Sequence, residues 1–285
     1  MPYLVPPDQG SPTARDPGAP ESGFPALPGP GPAVDARAHR ARGSAAALLW
    51  AWVVGVLVLA FLALLTSGIS LAVAALWPLA QRFLARRARA VLNGSCVRVG
   101  PAQLPRIHEC AARFAERLGL ARQPEVFVAS AASANAFALR VGGRGVVVLH
   151  DEVVDACLRG GRPGALAFVI GHELAHVSLG HSGAVHAWLA RIYRRLGRLD
   201  ELSCDAVAAR LVGSGDDAAF GLALLAAGPK LLPYLDLGAL RQQARDVDRD
   251  KLAARAERAS THPLVLRRLA ALERAGAAPA LRAAA

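Results

Sequence analysis

A stretch without a single charged residue runs from Ala45 to Ala80, which is 36 positions. One helix needs about 20 residues to cross the hydrocarbon core of a membrane. Ala45–Leu65 fills that length, and Thr66-Ser67-Gly68 then interrupts the run before Ile69–Ala80 continues it. Two interpretations stay open: one long span with an interfacial extension, or a helical hairpin with a short second limb. Either one predicts an integral membrane protein in contact with lipid.

Arginines flank the uncharged run on both sides. Positive charge next to a span favours the cytoplasmic face, so arginine on both flanks favours an even number of crossings. We therefore favour the hairpin, in a bacterial cell membrane, with the rest of the chain in the cytoplasm. The arginines in question are Arg37, Arg40, Arg42, Arg82, Arg86, Arg87 and Arg89.

The composition argues against a nucleic-acid-binding protein, although the formal net charge is +11 at pH 7. Only 5% of the residues are aromatic, and the arginines are scattered instead of forming a basic block interleaved with aromatic residues. We therefore expect no nucleic-acid partner. The four cysteines contain no C-x-x-C pair, so we expect no zinc knuckle or redox dithiol. Two disulfides are possible in an oxidising compartment, but the irregular spacings favour small buried thiols in a reducing one.

An H-E-x-x-H motif, His172-Glu173-Leu174-Ala175-His176, lies in the apolar run 165–181. On a helix its two histidines are one turn apart on the same face, so both imidazoles can bind one metal ion. Glu173 falls beside that face, where it can reach a water molecule but cannot easily bind the metal itself. Two nitrogen ligands, an activated water and a carboxylate that takes its proton are the requirements of metal-assisted peptide hydrolysis.

Around this motif the hydrophobic pattern predicts mostly helices with a few short strands. The strands are predicted at Glu125–Ala129, Ala134–Val141 and Val146–Leu149, and a further helix from about Asp200 to Val212. The sequence thus predicts a mainly α fold with a small β-sheet, preceded by an N-terminal transmembrane helix or helical hairpin.

A catalytic zinc site is expected to have a third protein ligand. The longer pattern H-E-x-x-H-x-x-G-x-x-H fails, because Leu179 and Ser182 occupy its last two fixed positions. Glu201 and Asp205 are spaced i, i+4 on the predicted helix, so one can bind the metal while the other accepts the N–H of a ligand histidine. An exposed acidic pair that binds nearby arginines stays open as the alternative. The candidates for the third ligand are His181, His186, Glu201, Asp205 and His262.

H-E-L-A-H followed by Glu201-x-x-x-Asp205 resembles the M48 zinc metallopeptidases, which include the HtpX heat-shock protease and a CAAX-processing protease. Three further segments resemble family motifs over roughly residues 101–212 and 260–272. These are Asn135-Ala136-Phe137-Ala138, Gly180-His181, and Thr261-His262-Pro263 with Arg268-Leu269 six residues further on.

The resemblance implies a zincin-like domain that holds one zinc ion per chain, bound by His172, His176 and Glu201. It implies Glu173 as the general base, and Asp205 as the carboxylate that orients a ligand histidine. It further suggests that His262 is a catalytic residue near the oxyanion and that Asn135, Ala136 and Phe137 line the substrate cleft.

Two features depart from the family pattern. Cys204 stands where the family usually has alanine. Only 24 residues separate His176 from Glu201, which leaves no room for the extra membrane pair that HtpX-like proteins carry there. The substrate is therefore left open.

These patterns predict a membrane-anchored zinc endopeptidase that acts on polypeptides, with a role in membrane or protein quality control as one interpretation. A non-proteolytic membrane sensor or scaffold that retains the fold is the alternative. We expect a disordered Pro/Gly/Ala-rich tail at 1–43, a membrane segment at 44–82 and a catalytic domain at 83–285. The sequence does not indicate an oligomeric state.

Overall fold

A computed structural model describes residues 31–283 of the protein, with side chains described through residue 276. Most of the predicted N-terminal tail lies outside the described residues. Its last part differs from the expectation of disorder, because Ala36–His39 form a 3-10 helix and Val34 and Ala36 are buried. The backbone N–H of Val34 donates to the carbonyl of Arg117, and that of Ala41 donates to Ser203 Oγ. Residues 34–43 therefore pack on the domain that follows.

Two long helices, α1 (Ser44–Leu65) and α2 (Ile69–Ser95), are joined by a turn in which Gly68 has φ +86°. Only 11% of the most apolar window of α1 is buried, and α1 is the one helix of the described residues that is long and apolar enough to cross a membrane. The base of α1 packs through Ala47 and Ala51 against α6 (Ala184–Ile192) and α7 (Arg194–Val212).

The second helix is longer than the predicted limb Ile69–Ala80. It is 27 residues long in all and continues through the arginine-rich segment. Small and apolar residues on one side of that segment pack on the β-sheet and stabilise this extension. Ala85, Ala88 and Leu92 contact the cluster that contains Phe127 and Val141. The N-terminal end of α1 and the C-terminal end of α2 therefore both pack on the same domain.

The sheet has four strands in the order β1-β2-β4-β3. The central pair β2 and β4 is parallel, and the two outer pairs are antiparallel. β3 is an edge strand, paired with β4 from Ala136 opposite Leu149 to Val141 opposite Arg144. The strands are β1 (Val97–Arg98), β2 (Glu125–Ala129), β3 (Ala136–Val141) and β4 (Arg144–His150).

The remainder of the chain is helical, which confirms the predicted mainly α fold with a small sheet. The other helices are α3 (Pro105–Arg117), α4 (Asp151–Arg159), α5 (Pro163–Leu179), α8 (Gly215–Ala227), α9 (Leu237–Arg249), α10 (Lys251–Ala256) and α11 (Val265–Ala283). Short 3-10 helices occupy Leu232–Tyr234 and Glu257–Ala259. The four cysteines are free thiols, as predicted.

The centre of the domain is α5, of which 14 of 17 residues are buried. Its apolar residues face the sheet on one side and α7 on the other. A Cβ atom at Gly171 would lie 3.4 Å from Cα of Ala208 on α7 and 3.3 Å from Cδ1 of Leu211. The glycine thus lets two helices approach closely at the level of the H-E-x-x-H motif, and this approach positions the candidate site.

Candidate metal centre

His172 and His176 on α5 and Glu201 on α7 converge at one point. The two Nε2 atoms are 3.2 Å apart. Glu201 Oε2 lies 3.4 Å from Nε2 of His172, and Oε1 lies 3.6 Å from Nε2 of His176. The structure therefore brings together the three residues that the resemblance implied as ligands.

This donor set fits a metal ion such as zinc. Ligand bonds of 2.0–2.1 Å in a tetrahedron require donor atoms about 3.3 Å apart. The two Nε2 atoms are 3.2 Å apart, and each of them lies 3.4 or 3.6 Å from a different oxygen of Glu201. The site also has the charge for a cation. Three buried carboxylates, those of Glu173, Glu201 and Asp205, face one buried guanidinium, that of Arg268. This formal excess of two negative charges is what a divalent ion offsets.

Asp205 contacts the far side of a predicted ligand histidine. Its Oδ1 lies 2.9 Å from Nδ1 of His172, the ring nitrogen opposite the one that faces the centre. A carboxylate in this position accepts the Nδ1–H and keeps the Nε2 lone pair directed at the metal. Its location one helical turn after Glu201 on α7 gives it the place that the i, i+4 spacing predicted.

Arg268 on α11 is a functional candidate that the sequence reasoning did not single out. Its Nε and Nη2 each donate to an oxygen of Asp205 at 2.7 Å, and its Nη1 lies 3.0 Å from Oε2 of Glu201. The one signal for it was its place in the segment that follows His262-Pro263. Arg268 binds Glu201 and Asp205 of α7 at once, so it fixes the orientation of these two carboxylates.

The pKa values of the two glutamates shift in opposite directions, although burial by itself would raise both. Burial raises the pKa of Glu173, and the surrounding histidines and Arg268 offset this only in part. Burial also opposes ionisation of Glu201, but the Arg268 charge and hydrogen bonds from His172, His176 and His262 hold its pKa well below the ordinary value. Glu201 is therefore an anionic donor, whereas Glu173 is the carboxyl more easily protonated.

His262 lies at the outer side of the centre, in the loop before α11. Its Nδ1 is 3.0 Å from Oε1 of Glu201, and two thirds of its side chain is exposed. The hydrogen bond to Glu201 raises the pKa of His262. His262 thus lines the cavity next to the centre and contacts the candidate ligand Glu201 directly.

A cavity of about 270 Å³ opens in front of the centre. One wall is formed by Asn135 and by Ala136, Phe137 and Ala138 of β3, which include the three residues predicted to line the cleft. The opposite wall is apolar, from Phe168, Val169 and Leu225. His172, Glu173 and His176 lie between the walls, so a polar reaction centre is placed inside a largely apolar groove that runs along an edge strand.

Two of the candidate third ligands point elsewhere. His181 and His186 contact Asp200, one residue before Glu201, although His181 also has a ring nitrogen within 4.8 Å of one of His176. The reason is helical geometry: α5 ends at Leu179, and Gly180 with φ +82° turns the chain away from the ligand face.

In a comparison with known protein families, residues 101–192 match Peptidase family M48. The matched segment contains the cleft strand β3 and the whole H-E-x-x-H helix, and it ends before Glu201. No curated protein and no solved structure matches the chain. The match supports a metal-dependent peptidase, and the geometry described above extends it to the residues on α7 and α11.

Proposed function

We propose that this chain, a member of peptidase family M48, is a membrane-anchored zinc endopeptidase. The observation that carries the proposal is the convergence of His172, His176 and Glu201 at the base of the cleft, with Asp205 behind His172. Two imidazoles and one carboxylate leave a fourth position for water, as catalytic zinc sites require.

His172, His176 and Glu201 would hold one zinc ion per chain. When bound, zinc supplies Lewis-acid chemistry, activating a water molecule and polarising the carbonyl of the scissile bond. Asp205 keeps His172 in the tautomer whose Nε2 lone pair is free for the ion. Arg268 holds Asp205 in place through two hydrogen bonds and Glu201 through an ion pair.

Glu173 is the proposed general base and acid. Its carboxylate takes a proton from the attacking water and then delivers it to the nitrogen of the leaving amine. It is buried next to His172 and lines the cavity, so the transfer takes place away from bulk water. His262 is proposed as the donor to the carbonyl oxygen of the substrate, because its exposed ring reaches into the cleft beside Glu201.

The substrate is proposed to be a polypeptide that binds in extended form along β3. The outer edge of β3 carries no strand partner in the described residues, since β3 pairs only with β4. An extended peptide can add to such an edge through main-chain hydrogen bonds, while neighbouring pockets select its side chains. Asn135, Ala136 and Phe137 would contact it on one side, and the apolar wall with Phe168 and Leu225 would favour an apolar side chain on the other.

Membrane anchoring is proposed on the basis of α1 and the apolar half of α2. Both helices reach the same domain at their far ends, which supports a hairpin. On the basis of the arginines at both flanks of the uncharged run, we propose that the catalytic domain lies in the cytoplasm of a bacterial cell. A role in membrane or protein quality control is part of the same proposal. We propose a membrane segment at 44–82 and a catalytic domain at 83–285, with residues 34–43 of the predicted tail packed on that domain. A non-proteolytic role would call for loss of a ligand or of Glu173, and none is lost.

The direct test is proteolysis by the purified full-length protein in detergent, with a casein-type substrate and mass spectrometry of the products. We expect cuts inside the substrate chain, abolished by a chelator and restored by zinc. Glu173→Gln is the matched control, because it keeps the shape of the side chain and removes the base. Equal turnover by wild type and Glu173→Gln, or release of terminal residues alone, would overturn the proposal.

A further inference from the structure

A second cluster of metal-binding side chains lies behind the first centre. His181 follows α5, His186 is on α6 and Asp200 is on α7. His181 Nε2 is 3.2 Å from Oδ1 of Asp200, and His186 Nε2 is 2.7 Å from Oδ2. The two imidazole rings stack with centroids 4.8 Å apart and an angle of 21° between their planes. Side-chain exposure is 7% for both His181 and Asp200 and 18% for His186, so the cluster is largely shielded from solvent.

We propose that His181, His186 and Asp200 bind a second divalent metal ion of the zinc class. Two imidazole nitrogens and one carboxylate oxygen, all within 4.8 Å of one another, form the same donor set as the first centre. Imidazole and carboxylate are donors that zinc accepts in proteins. The three residues come from three different segments, so an ion there would join the end of α5, the start of α6 and the middle of α7.

The surroundings have room for an ion and its fourth ligand. A cavity of about 50 Å³ adjoins the three side chains and is also lined by Ser44 and Leu48 of α1. A water molecule needs a cavity of at least about 10–15 Å³, so a water can complete the coordination. Arg40 lines the same cavity, but its guanidinium donates to the carbonyl of Leu179.

The other nitrogen of His181 has a neighbour of its own. Nδ1 lies 3.6 Å from Sγ of Cys204, a fully buried thiol on α7. A sulfur in that position is a weak acceptor for the Nδ1–H, which leaves the lone pair of Nε2 for an ion. Cys204 thus plays the part toward His181 that Asp205 plays toward His172.

The second centre is separate from the first but mechanically joined to it. The rings of His176 and His181 are 5.3 Å apart between centroids, and Asp200 and Glu201 are consecutive residues that face different clusters. An ion held by Asp200 therefore fixes the rotation of α7 at the residue before Glu201. The same ion lies beneath the base of α1, so its effect is structural: it holds the helix that carries the third ligand of the first centre.

The test is the metal content of full-length protein in detergent, prepared without a polyhistidine tag, stripped with a chelator, reloaded with zinc and dialysed. We expect the wild type to retain about two equivalents of zinc, and His172→Ala/His176→Ala to retain about one. His186→Ala and Asp200→Asn should each lose about one equivalent, and adding His186→Ala to the double variant should remove the rest. Cobalt reloaded into the double variant should give a visible d–d absorption that His186→Ala abolishes.

Asp200→Asn keeps the shape of the side chain, and circular dichroism of each variant verifies the fold. His108→Ala on α3, outside both clusters, is the matched control and should retain both equivalents. Added zinc should raise the Tm of His172→Ala/His176→Ala but not that of the same variant with His186→Ala. If the folded double variant binds no zinc, or if His186→Ala and Asp200→Asn bind as much as wild type, the second site does not exist. If instead the double variant matches the zinc content of wild type, the second site stands and the first centre fails.

Discussion

At the scale of single residues, two glutamates that look alike in the sequence occupy different chemical environments. Glu201 faces both Nε2 atoms, is hydrogen-bonded to His262 and forms an ion pair with Arg268. Glu173 lies between the two histidines in the sequence and is buried in the structure, and this burial raises its pKa. A ligand has to be an anion, whereas a proton carrier has to accept and release a proton. The environments therefore suit Glu201 to metal binding and Glu173 to proton transfer.

Metal content separates these roles. Glu173→Gln should keep its zinc and lose proteolysis, because only the base is removed. Glu201→Gln should lose zinc and proteolysis together, because an anionic donor becomes a weak neutral one. Asp205→Asn should weaken zinc binding by about 10–100-fold, the usual effect of removing a partner behind a ligand. Elemental analysis after dialysis measures all three variants. Full zinc occupancy in Glu201→Gln, with loss in Asp205→Asn, would assign the third ligand to the wrong residue.

The residues that local patterns predicted are those whose geometry is set within one helix. His172 and His176 share a face of α5, and Glu201 and Asp205 share a face of α7, because their spacing alone requires it. Arg268 is different: it is 63 positions from Asp205 and belongs to another helix. No periodicity indicates which of the 33 lysines and arginines will be buried against a given carboxylate. Its role follows only from tertiary packing.

At the scale of elements, α2 is joined to the sheet through one glutamate. A carboxylate oxygen of Glu125 on β2 forms an ion pair with Nη1 of Arg89 on α2 at 2.8 Å. The other oxygen lies 3.4 Å from guanidinium nitrogens of both Arg98 on β1 and Arg144 on β4. Burial works against ionisation of Glu125, but the hydrogen bond and charge of Arg89, with those of the other two arginines, lower its pKa below the ordinary value. Three elements thus meet at one carboxylate, which has to be ionised to hold them.

This junction predicts a pH-dependent contribution to stability. A carboxyl whose pKa is lower in the folded protein stabilises it above the unfolded pKa of about 4.3, and the contribution is lost as the pH falls through the folded pKa. Glu125→Gln should therefore have a lower Tm than wild type at pH 7, with the difference shrinking as the pH falls below about 4. Thermal unfolding in detergent across this range measures it, with the exposed Glu116→Gln on α3 as the matched control. A Tm difference that is the same at both ends of the range would contradict the prediction.

The length of α2 is a feature that the hydropathy pattern did not predict. The uncharged run ends at Ala80, so hydropathy predicted a short limb, whereas the helix runs on to Ser95. Hydropathy reports the surroundings of a helix and not its length. The arginines that ended the predicted limb lie on the same helix as Ala85, Ala88 and Leu92, which pack on the sheet. The strands of that sheet were predicted closely, apart from the two-residue β1.

At the scale of the whole molecule, both helices of the hairpin pack on the same domain. α1 leaves the domain next to α6 and α7, and α2 returns to it beside the sheet. Because the chain leaves the domain along α1 and returns along α2, the turn at 66–68 lies away from the domain. The N-terminal end of α1 and the C-terminal end of α2 both lie beside the domain.

A reporter fused to the C-terminus should therefore behave as cytoplasmic, and one inserted in the turn at 66–68 should report the outer face. Protease protection of the same fusions in intact cells is the independent measurement. A fusion at position 43, before α1, is the control and should match the C-terminal fusion. Opposite locations for the C-terminus and position 43 would mean a single crossing.

The hydrogen bonds that residues 34–43 make with the domain change how the chain is held. Arg40 binds the carbonyl of Leu179, Ala41 binds Ser203, and on the other side α2 runs without a break from its apolar half into its packing on the sheet. Within the described residues, the domain is thus attached to both helices by packing and hydrogen bonds and not through an unstructured linker. A single cleavage in the turn at 66–68 would therefore leave both halves of the hairpin bound to the domain.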